Sequence, residues 1–235
     1  MKTQESVSTL ESYINLVLGL PLAYGDIIFR GQPKKGDLLP SIARGKQRTN
    51  MELEEKERLR QVFLLGSPHI PHDMLDETRK GHRLDLMVLA QHFGLHTRLL
   101  DWSSNPLVAL WFACADRDPK PDVYVYCLET ADLVDKDIYT NDPFEIENTR
   151  IVEPRLNNPR IIAQQGLFTL HKYSKTGYVP LEKNRDIKKR LHEILIPENK
   201  RKPILQDLSQ LGVNERTIMP DLAGLCRYLN WQRNQ

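Results

Sequence analysis

Residues 97–114 read Thr97-Arg98-Leu99-Leu100-Asp101-Trp102-Ser103-Ser104-Asn105-Pro106-Leu107-Val108-Ala109-Leu110-Trp111-Phe112-Ala113-Cys114. Two elements meet inside this run. Thr97 to Trp102 has the apolar content of a short strand bounded by polar residues. Asn105 then stands where an N-cap accepts from the first free amides of a helix. Pro106 suits the first helical position, whose amide needs no partner. The helix behind it, Leu107 to Ala115, is apolar on nearly every side. A helix without a polar face belongs in a core. The polar residues at the junction are therefore held by rigid elements on both sides, and a strand end facing a helix N-terminus suits an anion.

Working outward, residues 5–18 predict a first helix capped by Ser6 or Ser8, with Leu10, Ile14 and Leu18 at helical spacing. Ile27 to Gly31 predicts a strand, and 33–48 a loop. Thr49 or Asn50 caps a helix to about Leu65, whose early Glu52, Glu54 and Glu55 suit the helix dipole. A third helix over about 81–93 puts Leu84, Met87 or Val88, and Gln91 on one face, with Gly94 ending it. Asp116 to Pro121 reads as a turn and 122–128 as an alternating strand. The polar stretch 130–159 reads as a long loop with a short helix, a candidate lid. Residues 160–171 read as two strand pieces around Gly166, and Glu193 to Pro197 as a strand. Helices follow from Ile204 to Leu211, ended by Gly212, and from Pro220 to about Trp231. Strands and helices mix without regular alternation, so the expected class is α+β. One domain over 1–235 is expected, with a helical insertion at about 49–93 and a loop-rich one at about 130–159.

The chain has 235 residues, 27% of them charged and 40% hydrophobic, with a formal net charge of +2. This is ordinary globular usage and excludes collagen, coiled coil and wholesale disorder. No apolar run approaches the roughly 18 residues of a membrane span, and the first residues do not form a secretory signal. Cys114, Cys127 and Cys226 are too far apart for a CxxC unit and read as core residues. A reducing, cytoplasmic setting fits them. His69 and His72 lack partners for a metal site, and no metal is expected. A net charge this small neither demands nor excludes nucleic acid, but residues 183–202 are rich in Lys and Arg. That stretch reads first as a solvated face and second as a polyanion contact.

No phosphate loop, dinucleotide fingerprint or serine-nucleophile motif appears. Polar residues crowd instead into Phe29-Arg30-Gly31-Gln32, then Gln91 through Asn105, then Arg160 through Thr169. Arg30 ends an apolar strand, and ligand binding outweighs a structural ion pair there, because Gly31 beside it permits close approach. Asp101 is divided between a buried pair with Arg98 or Arg30 and catalysis. Gln91 and His92 suit a structural network first and a site second. Trp102 and Trp111 are core residues by default. Gln165 is divided between backbone satisfaction and ligand contact. Tyr124 and Tyr126 read as strand packing.

Phe29-Arg30-Gly31-Gln32, with Leu39-Pro40-Ser41 after it, resembles the opening of the FRG domain, named for that tripeptide. The block from Ala90 to Trp102 and its continuation from Asn105 to Ala113 are similar to its central signature. Arg160 to Phe168 is similar to its third motif, and Leu211 to Leu222 to its tail. His96 stands where the family has Pro. The resemblance covers about 20–230. It implies a toxin-like or anti-phage effector with an antitoxin or regulatory partner, and it names no reaction.

A second, weaker resemblance does name one. An aromatic-Arg-Gly strand is similar to the first motif of the Arg-Ser-Glu group of ADP-ribosyltransferases. This implies a mixed β core flanked by helices and NAD as substrate. Arg30 would grip the NAD phosphates, since a planar fork holds a pyrophosphate in two places. Thr97, Ser103 or Ser104 would support the nicotinamide ribose. Gly31, Gln32, Gln91, Arg98, Trp102 and Phe168 would complete the NAD site. Where that group carries a catalytic Glu, this chain offers Gln164 and Gln165, which moves the carboxylate to Asp101 or Glu153. Arg30, Asp101 and Gln165 are the catalytic candidates. The expected target is a protein or a nucleic acid, with RNA the natural victim for growth arrest. The alternative is a catalytically degenerate, nucleotide-sensing module of a defence system. A nuclease finds no paired metal-binding carboxylates to support it.

Overall fold

The structure is a computed structural model that describes residues 4–20, 26–44, 51–115, 122–155, 158–173 and 177–233. The elements in chain order are β1 (Gln4–Ser6), α1 (Leu10–Leu18), β2 (Ile27–Gln32), α2 (Met51–Gly66), α3 (His82–His92), β3 (Leu99–Ser103), α4 (Pro106–Cys114) and β4 (Val123–Glu129). They continue with β5 (Arg150–Val152), α5 (Pro159–Gln164), β6 (Gly166–Leu170), β7 (Leu191–Ile196), α6 (Arg201–Gln210), α7 (Glu215–Ile218) and α8 (Leu222–Arg233). The class is α+β, as the mixed pattern predicts. The strands form one mixed sheet in the order β1-β7-β4-β2-β3-β6-β5.

The sheet has a seam. β2 pairs with β4 in register from Ile27↔Glu129 to Gln32↔Tyr124, but meets β3 at one pair, Phe29↔Ser103. β3 in turn pairs with β6 along its whole length, from Leu99↔Leu170 to Ser103↔Gly166. The two halves diverge beyond the Phe29 pair and leave a gap between Arg30 and Asp101.

Packing follows the same division. On one face of the first half, Phe29, Val125, Cys127 and Ile194 bury against Tyr13 of α1, Leu110 and Ala113 of α4, and Leu208 of α6. On the second half, Leu99, Phe168 and Leu170 bury against Leu59 of α2 and Leu84, Met87 and Val88 of α3. On the opposite face, Ile28, Leu100, Trp102 and Leu128 are covered by Leu38, Leu181 and Ile187 from the connecting segments. α4 is the pivot. Asn105 caps it by accepting from Leu107 N at 2.9 Å, and its side chains are buried on nearly all sides.

Several elements depart from the sequence reading. α1 begins at Leu10 with Thr9 as its cap, because Thr9 and Ser12 form a reciprocal capping box. Residues 4–6 ahead of it form an edge strand parallel to β7. The caps expected at Thr49 or Asn50, and the turn at 116–121, lie outside the described residues. The stretch 160–165 is a helix, not a strand. Asn158 accepts from Arg160 N at 2.8 Å, Pro159 takes the first turn, and Gln165 closes the helix at φ +46°. α6 starts three residues early at Arg201, and α7 was not expected.

The described residues of the stretch 130–159 are anchored into the core. Ile138 and Phe144 are buried in the α2–α3 core, Val134 bridges to Ile151, and Arg150–Val152 add an edge strand to β6. Buried Asp85 of α3 also takes Arg155 and Arg79 as ion partners. Cys114 and Cys127 are core residues, whereas Cys226 is exposed on α8.

Candidate active site at the seam of the sheet

Two hollows adjoin at the seam. One, of about 350 Å³, lies between the two helical cores and is lined by Arg30, Gln91, Asp101, Ser103, Phe112 and Arg160 among others. The other, of about 280 Å³, opens toward Arg44 and His96 and shares Arg30, Gln91 and Asp101 with the first. The three short segments that the sequence singles out, 29–32, 91–105 and 160–169, thus converge on one place.

Arg30 alternates with Phe29 and Gly31 and so roots on the opposite face from Phe29. Its guanidinium lies in the gap, where Nη1 donates to the Asp101 carbonyl at 2.7 Å. Its Nε donates to Gln32 Oε1 at 3.4 Å, which leaves Nη2 without a protein hydrogen bond. Burial lowers its pKa to about 10, opposed by nearby Asp101 and aided by Arg44, so it stays a cation at neutral pH. A protonated guanidinium with one side free is a receptor for an anion.

Asp101 does not form the buried pair that was one of its two readings. Its side chain is 66% exposed, and its carboxylate is 3.9 Å from Arg30 Nη1. What fixes it is an amide relay. Thr97 Oγ1 accepts from Leu99 N at 3.1 Å and donates to Gln91 Oε1. This orients the Gln91 amide so that Nε2 donates to Asp101 Oδ1 at 2.9 Å. Thr97 itself is fully buried and bonded to Ser41, so it acts one layer behind the cleft and does not reach a ligand.

The other expected site residues divide. Ser103 and Phe168 line the larger hollow, and Ser103 Oγ donates to Gln164 O at 2.6 Å. Trp102 borders the same hollow but is 3% exposed, with its indole donating to Thr169 at 3.1 Å. Gln32 is buried and holds the backbone at Lys34 and Gly36. Arg98 is outside the cleft. It is fully buried in an ion pair with Glu55 at 2.7 Å and lies 4.4 Å over Phe144. Gln165 is exposed beside Ser104, with 3.4 Å between Ser104 Oγ and its Oε1. Glu153 does not line either hollow, and its carbonyl accepts from Tyr139.

Gly31 has a different role from the one its sequence suggests. A Cβ there would collide with the Ala109 carbonyl and come within 2.5 Å of Ala113 N. Its bareness lets buried α4 lie directly on β2, a packing requirement, and the residue also borders the larger hollow.

Sequence reasoning missed the rear wall. Met219 and Gln164 close the larger hollow, with Gln164 Nε2 donating to Ile218 O at 3.3 Å. Arg160, another lining cation, pairs with Asp221 at 3.3 Å. The Asn158-Pro159 pair, a second copy of the helix-start signal at 105–106, is the clue that would have placed these residues on a helix. His92 adds a neutral imidazole to the wall, its pKa lowered by burial and by Arg160.

Fold and cleft together define an α+β protein with an anion-receptive arginine and an exposed carboxylate at a break in its sheet. The model of the FRG domain family matches residues 25–122, from before β2 to the residue ahead of β4, and that segment is similar to an FRG domain. That segment contains Arg30, Gly31, Gln91, Asp101 and Ser103. The third motif and the tail lie beyond it. No curated protein and no solved structure matches the chain.

Proposed function

We propose that the seam binds NAD and that the chain is an ADP-ribosyltransferase-like effector, toxin or anti-phage in role, that modifies a macromolecule. The observation that carries this reading is the pairing of Arg30, with one guanidinium nitrogen unpartnered, and the exposed carboxylate of Asp101 across the gap. The adjoining hollows, about 350 and 280 Å³, fall in the range of small-molecule sites. Phe112 and Phe168 give the larger one an apolar wall suited to a flat ring.

When bound, NAD supplies a glycosidic bond that breaks with its electron pair leaving on nicotinamide, while the ribose C1′ bonds an acceptor nucleophile whose proton passes to the solvent. The chain's own residues serve that chemistry by position and charge. Arg30 holds the pyrophosphate with a planar fork. Asp101, turned by Gln91, stabilises positive charge developing on the sugar, as carboxylates do in glycoside cleavage. Ser103 stands at the end of β3, where its hydroxyl accepts from the amide of Asn105, the cap of α4, at 3.0 Å.

A second reading, a nucleotide-sensing module without turnover, is favoured by Gln165. Its side chain is an amide, exposed and turned toward Ser104, where the transferase group has a carboxylate. One experiment separates the two. Purified protein is incubated with labelled NAD and, separately, RNA, DNA or cell protein extract. Label on one macromolecule, lost in Arg30→Ala, supports the transferase. NAD binding without turnover supports the sensor, and absence of binding refutes both.

A further inference from the structure

We infer that a third hollow, contiguous with the seam, is the channel by which the acceptor reaches Asp101, and that it takes single-stranded nucleic acid. The inference deepens the transferase reading and rests on it for the word acceptor. The channel itself is a groove of about 900 Å³ between the turn at Ser41–Arg44 and the second half of α2, floored by Gly94, Leu95 and His96. It shares Ser41, Arg44, Gly94, Leu95 and His96 with the 280 Å³ hollow, whose far end is Arg30, Gln91 and Asp101. The groove therefore leads to the Asp101 carboxylate from the side away from the larger, aromatic hollow. A transferase needs two approaches that meet at the reacting centre, and these two meet at the same three side chains.

The lining states the chemistry of the visitor. Its charged members are Arg44 and Arg58, and no carboxylate lines the groove among the described residues. Arg44 Nε donates to the Leu39 carbonyl at 3.1 Å, and its terminal nitrogens have no hydrogen-bond partner among the described residues. Arg58 is ion-paired along its helix with Glu54, through one terminal nitrogen. Between the cations lie Val62, Leu65 and Leu95, and Leu65 is 80% exposed, an apolar side chain without cover. Cations that track phosphates, interleaved with apolar surface for bases, are how single strands are held without sequence reading. A folded protein acceptor would present side chains of both signs, whereas the charged side chains lining this groove are cations only. The Lys-rich stretch that the sequence flags is elsewhere. Leu181 and Ile187 seat it on the opposite face of the sheet, and Lys183, Lys188 and Lys189 line none of the three hollows.

The test reads binding of a fluorescein-labelled twelve-nucleotide RNA, and of the same DNA, by anisotropy with the whole protein and no NAD. Tight binding of either strand is expected and names the sugar. Arg44→Gln/Arg58→Gln should weaken it at least tenfold and reduce the slope of log affinity against log salt by about 1–2, from two lost phosphate contacts. Leu65→Glu, at an exposed position, should weaken it as well. Lys183→Gln/Lys188→Gln/Lys189→Gln should change it less than twofold. The channel is refuted if neither strand binds, if the double arginine variant binds as the parent does, if the lysine variant is the one that loses affinity, or if polyglutamate competes as well as RNA. Nicotinamide release from NAD without acceptor is read in parallel. Loss of strand binding in the arginine variant with no release by any form leaves the channel standing and removes the NAD reading. Release with no strand binding does the reverse.

Discussion

Gly31→Ala distinguishes two accounts of the same glycine. If Gly31 serves a ligand's approach, alanine removes activity and leaves stability alone. The packing account says the opposite, because the new methyl points at the backbone of α4. An ordinary contact for that carbon begins at 3.4 Å, whereas it would find Ala113 N at 2.5 Å and Ala109 O nearer still. The helix must therefore withdraw from the strand by roughly 1 Å, and it cannot do so freely. Leu110 and Ala113 are wholly buried on its other sides and Trp111 is 8% exposed. Overpacking of a core costs about 1–3 kcal/mol, and a backbone obstacle belongs at the upper end. For a chain of this length each kcal/mol moves Tm by about 2–4 °C, so a fall of about 6–12 °C is expected. Differential scanning fluorimetry measures it, with Gly94→Ala as the comparison. Gly94 has φ +95° and nothing within 4 Å of an added Cβ, so it costs only backbone strain, about 1–2 kcal/mol. A Gly31→Ala protein that melts within 2 °C of the parent refutes the packing argument, and one that also loses NAD binding restores the ligand account.

Further outcomes follow from the same geometry. Arg30→Gln should abolish NAD binding in calorimetry while moving Tm by less than about 8 °C, because it removes two hydrogen bonds, to the Asp101 carbonyl and to Gln32, worth about 2 kcal/mol together. Asp101→Asn, at a mostly exposed side chain, should leave the melt unchanged and remove turnover, and a collapsed melt would make Asp101 structural. Glu55→Gln strands the buried Arg98 charge and should lower the urea-derived stability by about 3–5 kcal/mol, although neither residue touches the cleft. His171 is buried beneath the seam, and burial first, then Arg30 and Arg98, lowers its pKa to about 3. The unfolded chain therefore binds the extra proton between its ordinary value and 3, and stability falls as pH drops through that window. From pH 6.5 to 5 its share of the loss is about 2 kcal/mol, and His171→Gln should flatten that part of the curve.

What was legible in the sequence was what local chemistry decides. Asn105-Pro106 announced α4 because a cap and a proline act within one turn, and the uniform apolarity of 107–115 placed it in the core. The same signal at Asn158-Pro159 went unused because Ile161, Ile162 and Gly166 carry a strand's composition, and six residues are too few for helical periodicity to compete. The three-residue strands at 4–6 and 150–152 have no pattern of their own. They exist because β7 and β6 offer an edge. Arg30, Gln91 and Asp101, which line both hollows, are legible as candidates because polar residues at element ends are conspicuous. The burial of Arg98 was not, since it depends on Glu55, 43 positions away, and on Phe144, which reaches it from a segment that reads as loop. Gly31 illustrates the limit. A glycine's purpose is set by what lies opposite, and sequence does not say what that is.

The single shared pair between β2 and β3 has a consequence for how the molecule breathes. A strand at the centre of a seven-stranded sheet is ordinarily the last to exchange its amides with solvent. Here β2 has no ladder partner on the β3 side beyond Phe29, so the middle of the sheet lacks the pairing on both sides that protects a central strand. Each half keeps its own hydrophobic core on the helical face. The halves are joined by the Phe29–Ser103 pair and by the core that Ile28, Leu100, Trp102 and Leu128 share on the opposite face, so the slowest exchange is expected in β4 and β6 and faster exchange along the line between β2 and β3.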